Sequence, residues 1–195
     1  MLNPGTLWHK QLWILSYREA LVKIREVDVF VIHALATVAV ALFIGLGVWK
    51  GLGTDQASID PARTALYFCV IFQGIVSCFL GSCNFPLERA LLLRERHGGT
   101  YYVSAYYLAK TTVEAIFQLP MLLTFSLITY YLINFVNDSR HFIVYFVLII
   151  LTNNAAVAMA NAISCVVVSI EMATVMTAFI FKINRLYGGW FIRYV

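Results

Sequence analysis

From Thr64 to Phe85 no residue carries a charge, a run of 22 positions. A helix needs about 20 mostly apolar residues to cross the hydrocarbon of a bilayer. This segment therefore reads as a membrane span. It has counterparts along the chain. Residues 27–48 hold no Lys or Arg, and their polar residues Asp28 and His33 lie near the start, where an interface can hydrate them. The 41 residues from His141 to Phe181 also lack Lys and Arg, which is room for roughly two spans. The turn between those two is best placed at Ser169–Glu171. Composition agrees: charged residues are 12% of the 195 positions, against roughly 25% in soluble domains.

The spacing predicts an all-α, polytopic membrane bundle forming one domain over 1–195. Its spans fall at about 27–48, 64–85, 104–133 and 141–168, with a partial fifth at 170–181, too short to cross. Gly51, Gly53 and Pro61 mark a loop after the first span, and residues 134–140 mark a tight turn. The first ten residues lack the apolar core of a signal peptide, so the first span reads as an uncleaved anchor.

Two segments outside the spans are amphipathic. In 11–26, Trp13, Tyr17, Ala20, Leu21 and Ile24 share one helical face, while Glu19, Lys23 and Glu26 share another. Glu19 precedes Lys23 by four, the favourable order for a helical ion pair. Such a helix lies along a membrane surface; an ordinary surface helix is the alternative. In 86–100, Glu88, Arg89, Arg94, Glu95, Arg96 and His97 crowd together while Leu87, Leu91 and Leu92 keep helical spacing. Gly98 and Gly99 end that helix.

Polar residues inside the spans are few. Lys110 and Glu114 are four apart and share a face, and charges at membrane depth point into the bundle and pair. Pro120 follows, where it can kink the helix. Gly74, Ser77, Cys78 and Gly81 form a stripe of small residues that lets helices approach closely. Asn154 and Asn161 share a face, for hydrogen bonding between helices or for lining a pathway. Gln73 is the polar exception near the middle of the second span.

Lys and Arg counts set the orientation. The N-terminal segment has four and the region 86–110 has four; the loops 49–63 and 134–140 have two and one. Eight against three places the N-terminus and 86–100 in the cytoplasm. The basic residues flank apolar runs, which is the pattern of orientation and not of a phosphate-binding patch; no nucleic acid partner is expected.

Enzyme chemistry lacks a constellation. There is no H-E-x-x-H, no G-x-S-x-G and no paired intramembrane carboxylates. His9, His33, His97 and His141 are scattered. Cys69, Cys78, Cys83 and Cys165 form no C-x-x-C pair and read as small apolar residues. No metal site is expected, and no G-x-x-x-x-G-K-[ST] loop occurs.

The stretch 86–120, PLERALLLRERHGGTYYVSAYYLAKTTVEAIFQLP, resembles the segment after the second span in G-subfamily ABC transporters, the white and pleiotropic-drug-resistance type. The matching residues are Glu88, Arg89, Arg94, Glu95, Gly99, Tyr101, Tyr106, Lys110 and Pro120. Helix 11–26 resembles that family's connecting helix, 160–177 its turn between the fourth and fifth spans, and FIFKINRLYGGWFIRYV the start of its outer loop. The resemblance covers nearly the whole chain.

It implies an ABC exporter transmembrane domain that moves lipids, sterols or amphipathic small molecules. Such a domain pairs with a second one, as a homo- or heterodimer, and with a nucleotide-binding domain that holds ATP and Mg; no cofactor is expected on these residues. Segment 86–100 would be the coupling helix, with Glu88, Arg89, Arg94, Glu95 and Arg96 facing the ATPase; a merely solvated loop is the alternative. Phe68, Gln73 and Val76 would face the substrate cavity, or else pack. The plasma membrane is the expected location. The alternative function is a truncated fragment that pairs with a full-length transporter and regulates it.

Overall fold

The structure is a computed structural model that describes residues 7–25, 27–48, 58–98, 100–135, 138–167 and 169–187. Every regular element among them is helical. In order they are α1 (Trp8–Arg25), α2 (Val27–Leu42) continued by a π-helical segment (Phe43–Val48), α3 (Ile59–His97), α4 (Val103–Ile133), α5 (Ser139–Val166) and α6 (Ile170–Tyr187). Helices are what a chain this apolar must form, because lipid offers no partner to an open backbone N–H or C=O. Among the described residues, four helical stretches are long and apolar enough to cross a membrane: Phe30–Gly47, Ile59–Ser82, Val103–Ile133 and Ser139–Val166.

Helix ends follow local chemistry. α4 stops at Asn134, whose φ of 61° is left-handed. The Asn134 N–H then donates to the Tyr131 carbonyl and the Phe135 N–H to the Tyr130 carbonyl, which is the Schellman pattern. Asp138 caps α5 by accepting from the Arg140 N–H at 3.3 Å. The Ser169 hydroxyl accepts from the Met172 N–H at the start of α6; α6 already begins at Ile170, so Ile170 and Glu171, expected in the turn between the last two helices, are helical.

Two boundaries differ from expectation. The second span and the charged helix, expected as separate elements over 64–85 and 86–100, form one helix of 39 residues with Pro86 inside it. Proline removes one backbone donor, but membrane helices tolerate that loss, and Leu91, Leu92, Leu93, Arg94 and Glu95 beyond it are strong helix formers. α6 continues past Phe181 to Tyr187. Lys182 and Arg185 interrupt the apolar run without interrupting the helix, since charge alone does not break backbone periodicity.

The chain divides into two units, 1–48 with 90–129 and 49–89 with 130–195. In the first unit Leu15, Ala41, Ile44, Ala105, Tyr106, Leu122 and Phe125 are buried. Its α1 turns Gln11, Leu15 and Glu19 inward, while the apolar face with Trp13 (76% exposed) and Tyr17 points away. In the second unit the interior is partly polar. Gln73, Ser77, Asn153, Asn161, Ser164 and Thr177 are buried, while Phe79, Val144, Leu148, Leu151 and Phe179 are exposed. Where α4 meets α5, Tyr130 lies within 5.2–5.7 Å, ring to ring, of Phe135, Phe142 and Tyr145.

Candidate functional site

In the first unit, α1 is fastened to the end of α3 and the start of α4. The Trp8 indole donates to the Ser104 hydroxyl at 3.2 Å, and the Tyr102 backbone N–H donates to Gln11 Oε1 at 3.0 Å. Further along, the Arg18 guanidinium reaches Glu19 Oε1 at 3.2 Å and Glu95 Oε1 at 3.4 Å. The Tyr101 hydroxyl donates to the other Glu95 oxygen at 2.5 Å, and its ring stacks on Tyr106 with centroids 5.6 Å apart.

This gives the spacing of Glu95, Tyr101 and Tyr106 a physical reason. Glu95 lies in the last turn of α3, the Tyr101 hydroxyl returns to it, and Tyr106 follows in the first turn of α4. Burial, then the hydrogen bond to Glu95, push the Tyr101 phenol far above its ordinary range. Burial opposes the Arg18 charge, but the Glu19 hydrogen bond and the nearby carboxylates outweigh it, so its pKa is raised. Sequence periodicity did not reveal the Arg18–Glu95 contact, which joins residues 77 apart.

Of the five residues expected to couple, Glu95 is therefore engaged with α1 and Arg94 is exposed. The side chains of Glu88, Arg89 and Arg96 lie outside the described residues. Lys110 and Glu114 are both buried on α4, at 8% and 7% exposure.

The Glu95 contacts predict a ranking. Arg18→Ala removes two partly exposed ion pairs, to Glu19 and to Glu95, each worth about 0.2–1 kcal/mol. Glu95→Ala removes the pair to Arg18 and leaves the Tyr101 hydroxyl without its charged acceptor, about 1.5–3 kcal/mol more. Thermal unfolding in detergent is expected to place Glu95→Ala clearly below Arg18→Ala.

In the second unit, α3 turns a polar edge to α5. Gln73 Nε2 donates to Asn153 Oδ1 at 3.4 Å, the Ser77 hydroxyl also bonds Asn153 Oδ1, and the Cys78 thiol points to the Ala156 carbonyl at 3.6 Å. The small-residue stripe makes this approach possible. A Cβ on Gly81 would stand 2.9 Å from the Ala160 Cβ, and one on Gly74 would stand 2.8 Å from the tip of the Phe181 ring.

Of the three residues expected to face a substrate cavity, Phe68 is exposed, Gln73 is buried and Val76 is half-buried. Phe68 is 41% exposed and Gln73 is 7% exposed; positions five apart on a helix face different ways. A cavity of about 200 Å³ does lie against α3, on the neighbouring face, with Ile75, Cys78 and Phe79 opposite Thr177, Phe181 and Lys182 of α6. Among the described residues, no three His, Cys, Asp or Glu side chains group as metal ligands would.

Four membrane-length helices, with a polar seam on α3 and α5 and a charged helix end fastened to an amphipathic first helix, define a polytopic membrane protein. Residues 10–194 match the family described as ABC-2 type transporter. The chain belongs to that family, as its membrane-spanning transport part. ABC transporter G family member 22 of Arabidopsis thaliana is 27% identical over 192 residues, covering 98% of this chain and 25% of that protein. G family member 25 of the same plant is 25% identical over 189 residues, covering 96% and 28%. ABC multidrug transporter I of Aspergillus fumigatus is 22% identical over 187 residues, covering 96% and 12%. The chain thus spans less than a third of the length of these relatives. Membership of the family means embedding in a membrane.

Proposed function

We propose that this chain forms the transmembrane path of an ATP-driven exporter for lipids, sterols or amphipathic small molecules. It pairs with a second transmembrane domain, and ATP and Mg sit on the nucleotide-binding domain. The N-terminus and the charged end of α3 lie in the cytoplasm, and the plasma membrane is the site of action. Residues 86–97 carry motion between that ATPase and the spans, with Arg94 and Glu95 nearest to the coupling role.

The observation that carries the reading is the fastening of α1 to the end of α3 through Arg18, Glu95 and Tyr101. A charged helix end with no structural task would be solvated; this one is tied to the helix that precedes the first span. Movement imposed on residues 90–97 is thereby shared with α1. The apolar cavity against α3 supports an amphipathic cargo, since small-molecule sites are mostly apolar with a few placed polar groups.

Purification and reconstitution test this. A nucleotide-binding domain is expected in stoichiometric amount, with ATP-dependent export of a labelled amphiphile from liposomes. Glu95→Ala should retain ATP hydrolysis while export falls by about tenfold, the loss expected of one charge-assisted contact. A full-length transporter co-purifying with the chain, and export unaffected by Glu95→Ala, would point to a regulatory fragment.

A further inference from the structure

The cavity in the second unit has apolar walls and a polar, basic side. Ile75, Cys78 and Phe79 of α3 and Phe181 of α6 supply much of its surface, and Lys182 and Arg185, three apart on α6, both line it. The Tyr67 hydroxyl donates to the Arg185 backbone carbonyl at 3.1 Å. Tyr67 lies inside the apolar stretch Ile59–Ser82, so Arg185 stands beside a membrane-length segment and not beyond its end. Basic side chains at that depth mark pathways and ligand sites.

A second observation is independent of charge. Thr177 lines the same cavity and is 1% exposed. Its hydroxyl has no hydrogen-bond partner among the described residues. A threonine in a membrane helix ordinarily returns its hydroxyl to a carbonyl on the preceding turn, as Thr129, Thr152 and Thr174 do here. An unsatisfied buried hydroxyl is unfavourable, and a bound acceptor would remove that penalty.

We propose that this cavity binds an anionic amphiphile. A carboxylate or similar headgroup is held by Lys182 and Arg185, the Thr177 hydroxyl donates to the ligand, and its apolar body lies against Ile75, Phe79 and Phe181. Size agrees with one ring or the end of an acyl chain: a cavity of about 150 Å³ takes benzene, and this one is about 200 Å³. The proposal rests on the reading of the chain as a transporter of amphipathic molecules and narrows that class by charge.

The test uses the full chain in nanodiscs of neutral lipid. The probes are an aryl diazirine bearing a pentanoate chain and the same compound ending in an alcohol, with crosslinks located by mass spectrometry. The carboxylate is expected to label 75–82 or 174–187 about tenfold more efficiently than the alcohol, the margin of one charge-assisted hydrogen bond. The Lys182→Gln, Arg185→Gln double variant should lose that margin and keep its labelling by the alcohol, which also reports that it is folded. Lys182→Arg should retain the margin. Competition by free decanoate alone assigns the site to a soluble acid; competition also by phosphatidylglycerol in the disc extends it to an anionic lipid. Equal labelling by both probes in the unmodified chain overturns the charge requirement while leaving the amphiphile reading intact. No labelling by either probe overturns both.

Discussion

On the Lys110–Glu114 pairing that their spacing of four predicts, Glu114→Gln or Lys110→Met, made singly, is expected to lower stability by about 3–5 kcal/mol, the range seen when one partner of a buried charged pair is removed. At 2–4 °C per kcal/mol for a chain of this size, that is a fall of roughly 6–20 °C in melting temperature. Both side chains are under one-tenth exposed, and both lie on α4 within its membrane-length stretch. Neither can reach bulk water without uncovering the interior of the unit. The double variant should melt above either single one, because it removes two buried charges together and strands neither. Three equal melting temperatures would show that Lys110 and Glu114 do not depend on each other.

The second large effect is expected at Gly81. Gly81→Val should destabilise the chain by about 1–3 kcal/mol or more, the range for overpacking a close contact. The nearest atoms to an added Cβ are the Ala160 Cβ at 2.9 Å and the Val157 backbone oxygen at 3.4 Å. Neither is the end of a flexible side chain, so α5 itself would have to move. Gly74→Ala is the control. Its added Cβ meets the tip of the Phe181 ring at 2.8 and 3.0 Å, and a ring can swing. It should melt within about 1 kcal/mol of the unmodified chain, since a small shift of one rotamer costs about 0.5–1.5 kcal/mol at most. Equal losses at the two glycines would mean that the small-residue stripe does not hold α3 against α5.

What the sequence made legible is what local pattern encodes. Long apolar runs located the four membrane-length helices, and the spacing of Gly74, Ser77, Cys78 and Gly81 located the close packing of the second span. Ser169 and the polar stretch after Ile133 located two turns. The spacing of Glu95, Tyr101 and Tyr106 pointed to a motif before any geometry explained it.

What stayed hidden depends on partners far along the chain. Gln73 was seen as a polar exception, but its partner Asn153 is 80 positions away, and no periodicity links them. Phe68, Gln73 and Val76 are grouped by resemblance alone, while the cavity against α6 is lined by Ile75, Cys78 and Phe79 of the same helix. Pro86 suggested a boundary that membrane helices do not require. Glu19 also shows a contact that helical spacing does not announce, since its carboxylate meets Arg18, the residue beside it, at 3.2 Å.

The partly polar interior and apolar exterior of the second unit carry a calorimetric consequence. Soluble proteins gain about 12–15 cal/mol/K per residue in heat capacity on unfolding, because water comes to hydrate buried apolar groups. Here Val144, Leu148 and Leu151 already face outward, and what parting the helices would uncover includes Gln73, Ser77 and Asn153. Separation within a bilayer brings little new hydrocarbon into contact with water. The heat-capacity change of that step is small, so its free energy runs nearly straight with temperature. The dome-shaped stability curve of a water-soluble domain, with its weakening in the cold, has no counterpart in the association of these helices.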